Sequence, residues 1–184
     1  MTITAWYPAS ASPNGTIPNF TVQTDQSDFS RYTVSDLMTS TIIANSKSTA
    51  GKTVNLVFVH RMAQLRITFV DKTGNAVKPA ITVNNVCLDV NKTKTGSITA
   101  STSANSGTTY DVLVPPQTIA AGTTLVTFAT SSGKKWSYVT DKGLALTAGN
   151  SYPITCTLTP VSITTGEGDA SGADPKGADA KSFR

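Results

Sequence analysis

From residue 53 onward, apolar side chains recur at every second position, and this period restricts the fold class more than any other feature. It is plainest in "YPITCTLT", where Tyr152, Ile154, Cys156 and Leu158 alternate with Pro153, Thr155, Thr157 and Thr159. Successive side chains of a strand point to opposite faces, so the spacing gives one apolar face and one wet face. That is the pattern of an antiparallel sheet with one side on a core. Strands are read at 54–70, 79–90, 96–101, 109–114, 123–129, 135–140 and 151–159, with turns between them such as "DKTGN" at 71–75. Short strands at this spacing predict an all-β chain, folded as a sandwich or barrel. Composition points the same way. Charged residues make up only 14%, and Ser and Thr fill the gap. Thr suits a pleated surface because its β-carbon is branched.

One strand breaks the period. In "VNLVFVHRMAQLRITFV", residues 54–70, Val54, Leu56, Phe58 and Met62 hold even positions, whereas Leu65, Ile67 and Phe69 hold odd ones. Keeping both sets in a core needs an extra residue between 59 and 64. A β-bulge supplies one, as does a bend where a strand passes between sheets. His60, the only histidine, lies at this kink. A catalytic base needs a nucleophile and an orienting partner. A metal needs three or four ligands. The only Glu is Glu167, and the aspartates at 25, 28, 36, 71, 89, 111 and 141 fall mostly in expected turns or at strand ends, where such residues hold their own backbone. A glycosidase would need two carboxyls ~5–10 Å apart in a cleft, and nothing in the spacing suggests such a pair. His60 is therefore expected to be structural, its ring packed at the kink and hydrogen-bonded to a backbone group. No catalytic residue, metal ligand or cofactor is assigned, and the chain is read as a non-enzyme.

Trp136 and Tyr138 alternate on one face of "KKWSYV". They suit either the core face or rim of a sandwich, or an exposed platform that stacks against sugars. The platform requires Trp136 to be exposed. Cys87 and Cys156 are too far apart in sequence for a CxxC or zinc pattern, and Cys87 is out of phase with its apolar neighbours. Both are expected to be buried free thiols. The net charge of +4 is scattered, with no basic stripe for a nucleic-acid backbone. No stretch approaches the ~20 apolar residues of a membrane span. "MTITAWYPAS" has neither the basic nor the apolar region of a signal peptide.

Residues 1–50 are rich in turn formers. "TITAWYP" reads as a short strand stopped by Pro8, "SASPNGTIPN" as a loop, and "FTVQTDQS" as a strand through Phe20 and Val22. "VSDLMTSTIIANS" reads as a helical turn capped by Ser35 or Asp36. The segment 164–184, "TTGEGDASGADPKGADAKSFR", is mostly Gly, Ala, Asp and Ser. It cannot bury enough apolar surface to offset its ordering entropy and is expected to be disordered.

The motifs "AWYPAS", "TDQS", "SDLM", "VNLVFVHRMAQLRITF", "VPPQTIAAGTTLVTF" and "LALTAGNSYPITCTL" occur in this order over residues 3–160. Together they resemble the fimbrillin family, the pilus-subunit and fimbrillin-like lipoproteins of Bacteroidetes surfaces. The resemblance implies transthyretin-like β-sandwich domains, two in a full-length subunit. Residues 1–50 would be the end of an incomplete first β domain with its linker, 51–163 the second domain and 164–184 the tail. It also implies a structural and adhesive role at the cell surface or outer membrane, in a fimbrium. Partners would be other fimbrial subunits or host and bacterial surface ligands, with no nucleic acid and no direct membrane insertion. Leader and lipid-attachment cysteine would lie upstream, since neither Cys87 nor Cys156 is placed for an anchor. The alternative reading is a carbohydrate-binding surface module that uses Trp136 and Tyr138.

Overall fold

Two four-stranded sheets face each other across an apolar core, and a three-stranded sheet adjoins them at the end where the chain bends. The structure, a computed structural model, describes residues 2–11, 19–43, 53–73, 79–102, 107–130 and 133–159. In chain order the strands are β1 (Thr2–Tyr7), β2 (Met38–Ile43), β3 (Val59–His60), β4 (Ala63–Asp71), β5 (Ala80–Cys87), β6 (Thr95–Thr99) and β7 (Ser101–Thr102). They continue as β8 (Thr109–Val114), β9 (Gln117–Ile119), β10 (Thr124–Ala129), β11 (Lys135–Val139), β12 (Leu144–Leu146) and β13 (Ser151–Leu158). One short helix, α1, spans Phe29–Val34. The sandwich sheets have the orders β11-β10-β5-β6 and β13-β4-β8-β7, β12 pairs with β9, and the adjoining sheet is β1-β2-β3. Phe69 of β4 and Phe128 of β10 meet between the facing sheets, their ring centroids 5.3 Å apart. The chain is all-β, as the period-two pattern requires.

The alternation at the C-terminal strand holds. Ile154 and Cys156 are buried, Tyr152 and Leu158 half-buried, and Pro153 and Thr155 exposed. Its direction is a correction. β13 runs parallel to β4, from Ser151 beside Gln64 to Leu158 beside Asp71. Periodicity carries face but not direction, and the named strands otherwise pair antiparallel.

The kink at 59–64 is present, and its position explains the phase change. β3 belongs to the adjoining sheet, where His60 pairs with Met38. β4 belongs to the sandwich. Where the chain passes from one to the other, Met62 and Ala63 are buried in succession, so the apolar side chains change phase at the bend. The Arg61 amide donates to Leu37 O (2.7 Å) and the Gly149 amide to Met62 O (2.8 Å), fixing the bend. The strand expected from 54 is accordingly shorter: 53–58 lies outside any ladder, and Leu56, Val57, Phe58 and Val59 are exposed.

The expected helical turn at 34–46 is also corrected. The helix lies earlier, where Asp28 caps it by accepting from the Arg31 amide at 2.9 Å. Ser35 ends this helix; its hydroxyl donates to Arg31 O and accepts from the Gln23 amide. Met38–Ile43 is then a strand paired with β1 along its length, consistent with its β-branched Thr and Ile residues.

Segment 20–26 packs on the sandwich. Phe20, Val22 and Leu37 are buried in the same cluster as Leu65, Val83 and Val112. The Val22 amide donates to Leu88 O and the Thr99 amide to Thr24 O, each at 2.9 Å. Gln26, fully buried, pairs with one backbone position of β8. Its Nε2 donates to Leu113 O and its Oε1 accepts from the Leu113 amide, both at 2.9 Å. A side-chain amide thus takes the place of a neighbouring strand's peptide group. The tail expected at 164–184, the Gly74 end of the 71–75 turn and most of the 10–18 loop fall outside the described residues.

Candidate functional site

His60 does not pack as expected. Its side chain is 58% exposed, and Nδ1 lies 2.8 Å from an Asp36 carboxylate oxygen, so its partner is a side chain on the β2 approach rather than a backbone group. The pair sits at the mouth of a 230 Å³ cavity lined also by Tyr32, Met62, Gln64 and Asn150. This is the junction where the adjoining sheet, α1 and the sandwich meet. Gln64 Nε2 donates to the Tyr32 hydroxyl at 2.9 Å across it.

Most of the aspartates are held locally. Arg31 pairs with both Asp25 and Asp28, and Arg66 Nε donates to Asp111 at 2.9 Å. Asp71 accepts from the Thr73 amide and hydroxyl. Asp89 is buried, and its desolvation opposes ionisation. The amides of Thr93 and Lys94 and the Thr93 hydroxyl outweigh that cost and hold the carboxyl below its ordinary value. These contacts order the turn that follows β5. Among the described residues no group of three or more His, Cys, Asp or Glu side chains could hold a metal. Cys156 is buried and Cys87 only half-buried, and the two do not form a disulfide with each other.

Trp136 and Tyr138 share the inner face of β11, since they pair across the ladder with Phe128 and Val126, both fully buried. Each is half-buried and packs on the core cluster. An exposed flat platform is therefore not what this strand presents. Tyr138 does reach a second cavity, on the flank of the sandwich between β11 and β13, which also takes in Asp141, Lys142, Tyr152 and Thr155. Sequence reading placed Tyr152 on an apolar face but missed its place beside Tyr138, which belongs to the other sheet.

The motif residues share one kind of geometry: polar side chains that pin loops to strands. Gln26 does so for β8. Gln117 does so for β5, accepting from the Cys87 amide at 2.7 Å. The Tyr152 hydroxyl accepts from the Thr147 amide at 2.8 Å, closing the "TAGN" turn in which Gly149 takes a φ of 73°. Among the described residues no helix is long and apolar enough to cross a membrane.

Comparison with known proteins agrees with this architecture. A family model of fimbrillin-like proteins matches residues 1–171. No curated protein is significantly similar. A candidate cell adhesion protein of Bacteroides uniformis superposes with a TM-score of 0.62 at 20% identity, over 86% of this chain and 67% of its own. One of Bacteroides ovatus gives 0.62 at 17%, over 86% and 62%. One of Bacteroides thetaiotaomicron gives 0.52 at 18%, over 95% and 70%. The chain thus spans about two thirds of the length of these structures, and at such identities the likeness is one of fold. With the family match covering all but the last residues, the chain belongs to the fimbrillin-like family.

Proposed function

We propose that this chain is a structural and adhesive subunit of a cell-surface fimbria, displayed at the outer membrane, and that it performs no catalysis. Family membership supports the class. The observation that carries the subunit reading is an unfinished sheet beside an exposed apolar run. β3 covers only Met38 and Thr39 of β2, so among the described residues the rest of that edge has no strand partner. Next to it, Leu56, Val57, Phe58 and Val59 are exposed, Val57 by 74%. Open edges and contiguous apolar surface are what a strand from another polypeptide pairs with. In this reading the partner is a neighbouring fimbrial subunit.

The sheet β1-β2-β3 is, on the same reading, the closing part of a first β domain, and two four-stranded sheets make the second a transthyretin-like sandwich. Phe20, Val22 and Leu37 join the sandwich core, which on this reading puts the division inside 1–50 rather than at residue 50. The test is immunogold labelling of whole cells and of thin sections of cells that produce the protein from its native gene. Gold along surface filaments is expected; label confined to the cell interior refutes the proposal.

A further inference from the structure

Among the described residues the sandwich has one closed flank and one open flank. On the closed side, segment 20–26 bonds to Leu88, Val90 and Thr99, and the chain crosses directly from β6 to β7. On the open side, β11 and β13 are both outermost in their sheets. Between them lies a cleft of 370 Å³. That falls within the ~300–1,000 Å³ typical of small-molecule sites, whereas the junction cavity does not. We propose that this cleft binds a pyranose unit of a glycan, with Tyr138 and Tyr152 as its apolar walls and Asp141, Lys142 and Thr155 as its polar contacts.

The geometry disfavours a strand as occupant. The Gln64 amide bonds Asn150 O and the Lys72 amide bonds Leu158 O. Even-numbered residues of β13 therefore face β4, and odd-numbered ones face the free edge. Pro153 is one of the latter, and having no N–H it removes a donor from the edge a docking strand would need. A small polyol needs no such ladder. An aromatic side chain offers an apolar face with a polar tip, which suits the C–H face of a sugar ring.

The walls are held in advance. The Tyr152 hydroxyl is fixed by the Thr147 amide and lies 2.8 Å from the Thr147 hydroxyl. Burial, then the Asp141 carboxylate and the Cys156 thiol, push the Tyr138 hydroxyl above its ordinary value. It therefore stays protonated and able to donate at neutral pH. Asp141 and Lys142 are exposed in the turn after β11 and take part in no ion pair among the described residues. They are free to accept from sugar hydroxyls and to donate to them, or to a sugar carboxylate. Preformed walls reduce the ordering cost of binding.

The experiment is saturation-transfer NMR on the whole chain, with methyl β-galactoside, N-acetylglucosamine, glucuronate and N-acetylneuraminate each as a separate probe. The site predicts saturable transfer to ring protons of at least one probe. Asp141→Asn or Lys142→Ala should weaken it about tenfold, the loss of one good polar contact. Both lie on an exposed turn, so folding is retained. Tyr138→Ser should abolish transfer, and Tyr138→Phe, which keeps the ring, should retain most of it. No transfer from any probe, or transfer unchanged in both turn variants, overturns the proposal. A preference for glucuronate and N-acetylneuraminate that Lys142→Ala erases would support it and identify the sugar as acidic. Filament assembly is not read by this experiment, so its failure would leave the subunit reading standing.

Discussion

Replacing Gln26 by Leu tests how residues 20–37 are held. In the native chain the Gln26 amide satisfies both the N–H and the C=O of Leu113, each at 2.9 Å, and its Nε2 also reaches Gln23 O at 3.2 Å. Gln26 is fully buried, so water cannot take over those bonds without opening the core. Leaving a buried backbone donor or acceptor unpaired costs about 1–3 kcal/mol. Two such groups give about 2–6 kcal/mol, and removing the desolvation cost of the amide offsets part of it. Leu fills nearly the same volume, so the expected loss is about 2–4 kcal/mol without a cavity contribution. Gln26→Ala adds that contribution and should lose about 1 kcal/mol more. Urea unfolding followed by tryptophan fluorescence would measure it, with the m-value unchanged if the compactness of both states is preserved. A fall in Tm of about 2–4 °C per kcal/mol should accompany it. A Leu variant within about 0.5 kcal/mol of the native chain would show that the 20–26 segment is not pinned to β8 and would refute the reasoning.

Other perturbations follow from the same geometry. His60→Ala should cost at most about 1 kcal/mol, because an exposed pair with Asp36 is screened by solvent; a loss above about 3 kcal/mol by chemical denaturation would mean that the ring is buried after all. The Asp89 carboxyl binds a proton less readily in the fold than its ordinary 3.8. Its contribution is therefore full above that value and is lost as pH falls through the lowered folded one. The Tm advantage of the native chain over Asp89→Asn should shrink as pH falls below the ordinary 3.8, and an advantage that grows on acidification would reverse the assigned shift. A β-carbon at Gly96 would lie 2.8 Å from Leu88 Cδ1, so Gly96→Ala should destabilise by about 1–2 kcal/mol, and Leu88→Val should rescue part of the loss in thermal melts.

Much of the fold was legible because period two is a strong signal where one face is buried. Tyr152 to Leu158 shows it without interruption, and the phase change across His60 located the passage between sheets. Other features were not legible for physical reasons. Pattern does not encode strand direction, so the parallel β4–β13 pair was read as antiparallel. Three-residue strands such as β9 and β12 hold less than two cycles of alternation, too few to stand out as a period. Asp36 and Ser35 looked like helix caps because the same side chains serve turns and pins equally well. Gln26 lay at the end of "FTVQTDQS", read as a strand, and a polar residue among Thr, Asp and Ser gives no sign that its amide will bond a strand 87 positions away. The cleft between β11 and β13 could not be read at all. Tyr138 and Tyr152 come from different sheets, and only the closure of the sandwich brings them to one flank.

The subunit account rests on filaments, and the most direct measurement is the share of the full-length protein recovered in fimbriae sheared from cells. The account predicts that native protein co-sediments with the filaments, and that Val57→Asp, which places a charge in the exposed apolar run, leaves a folded protein that stays out of them. Native protein absent from the sheared filaments, with the same amount left on or in the cells, would contradict it.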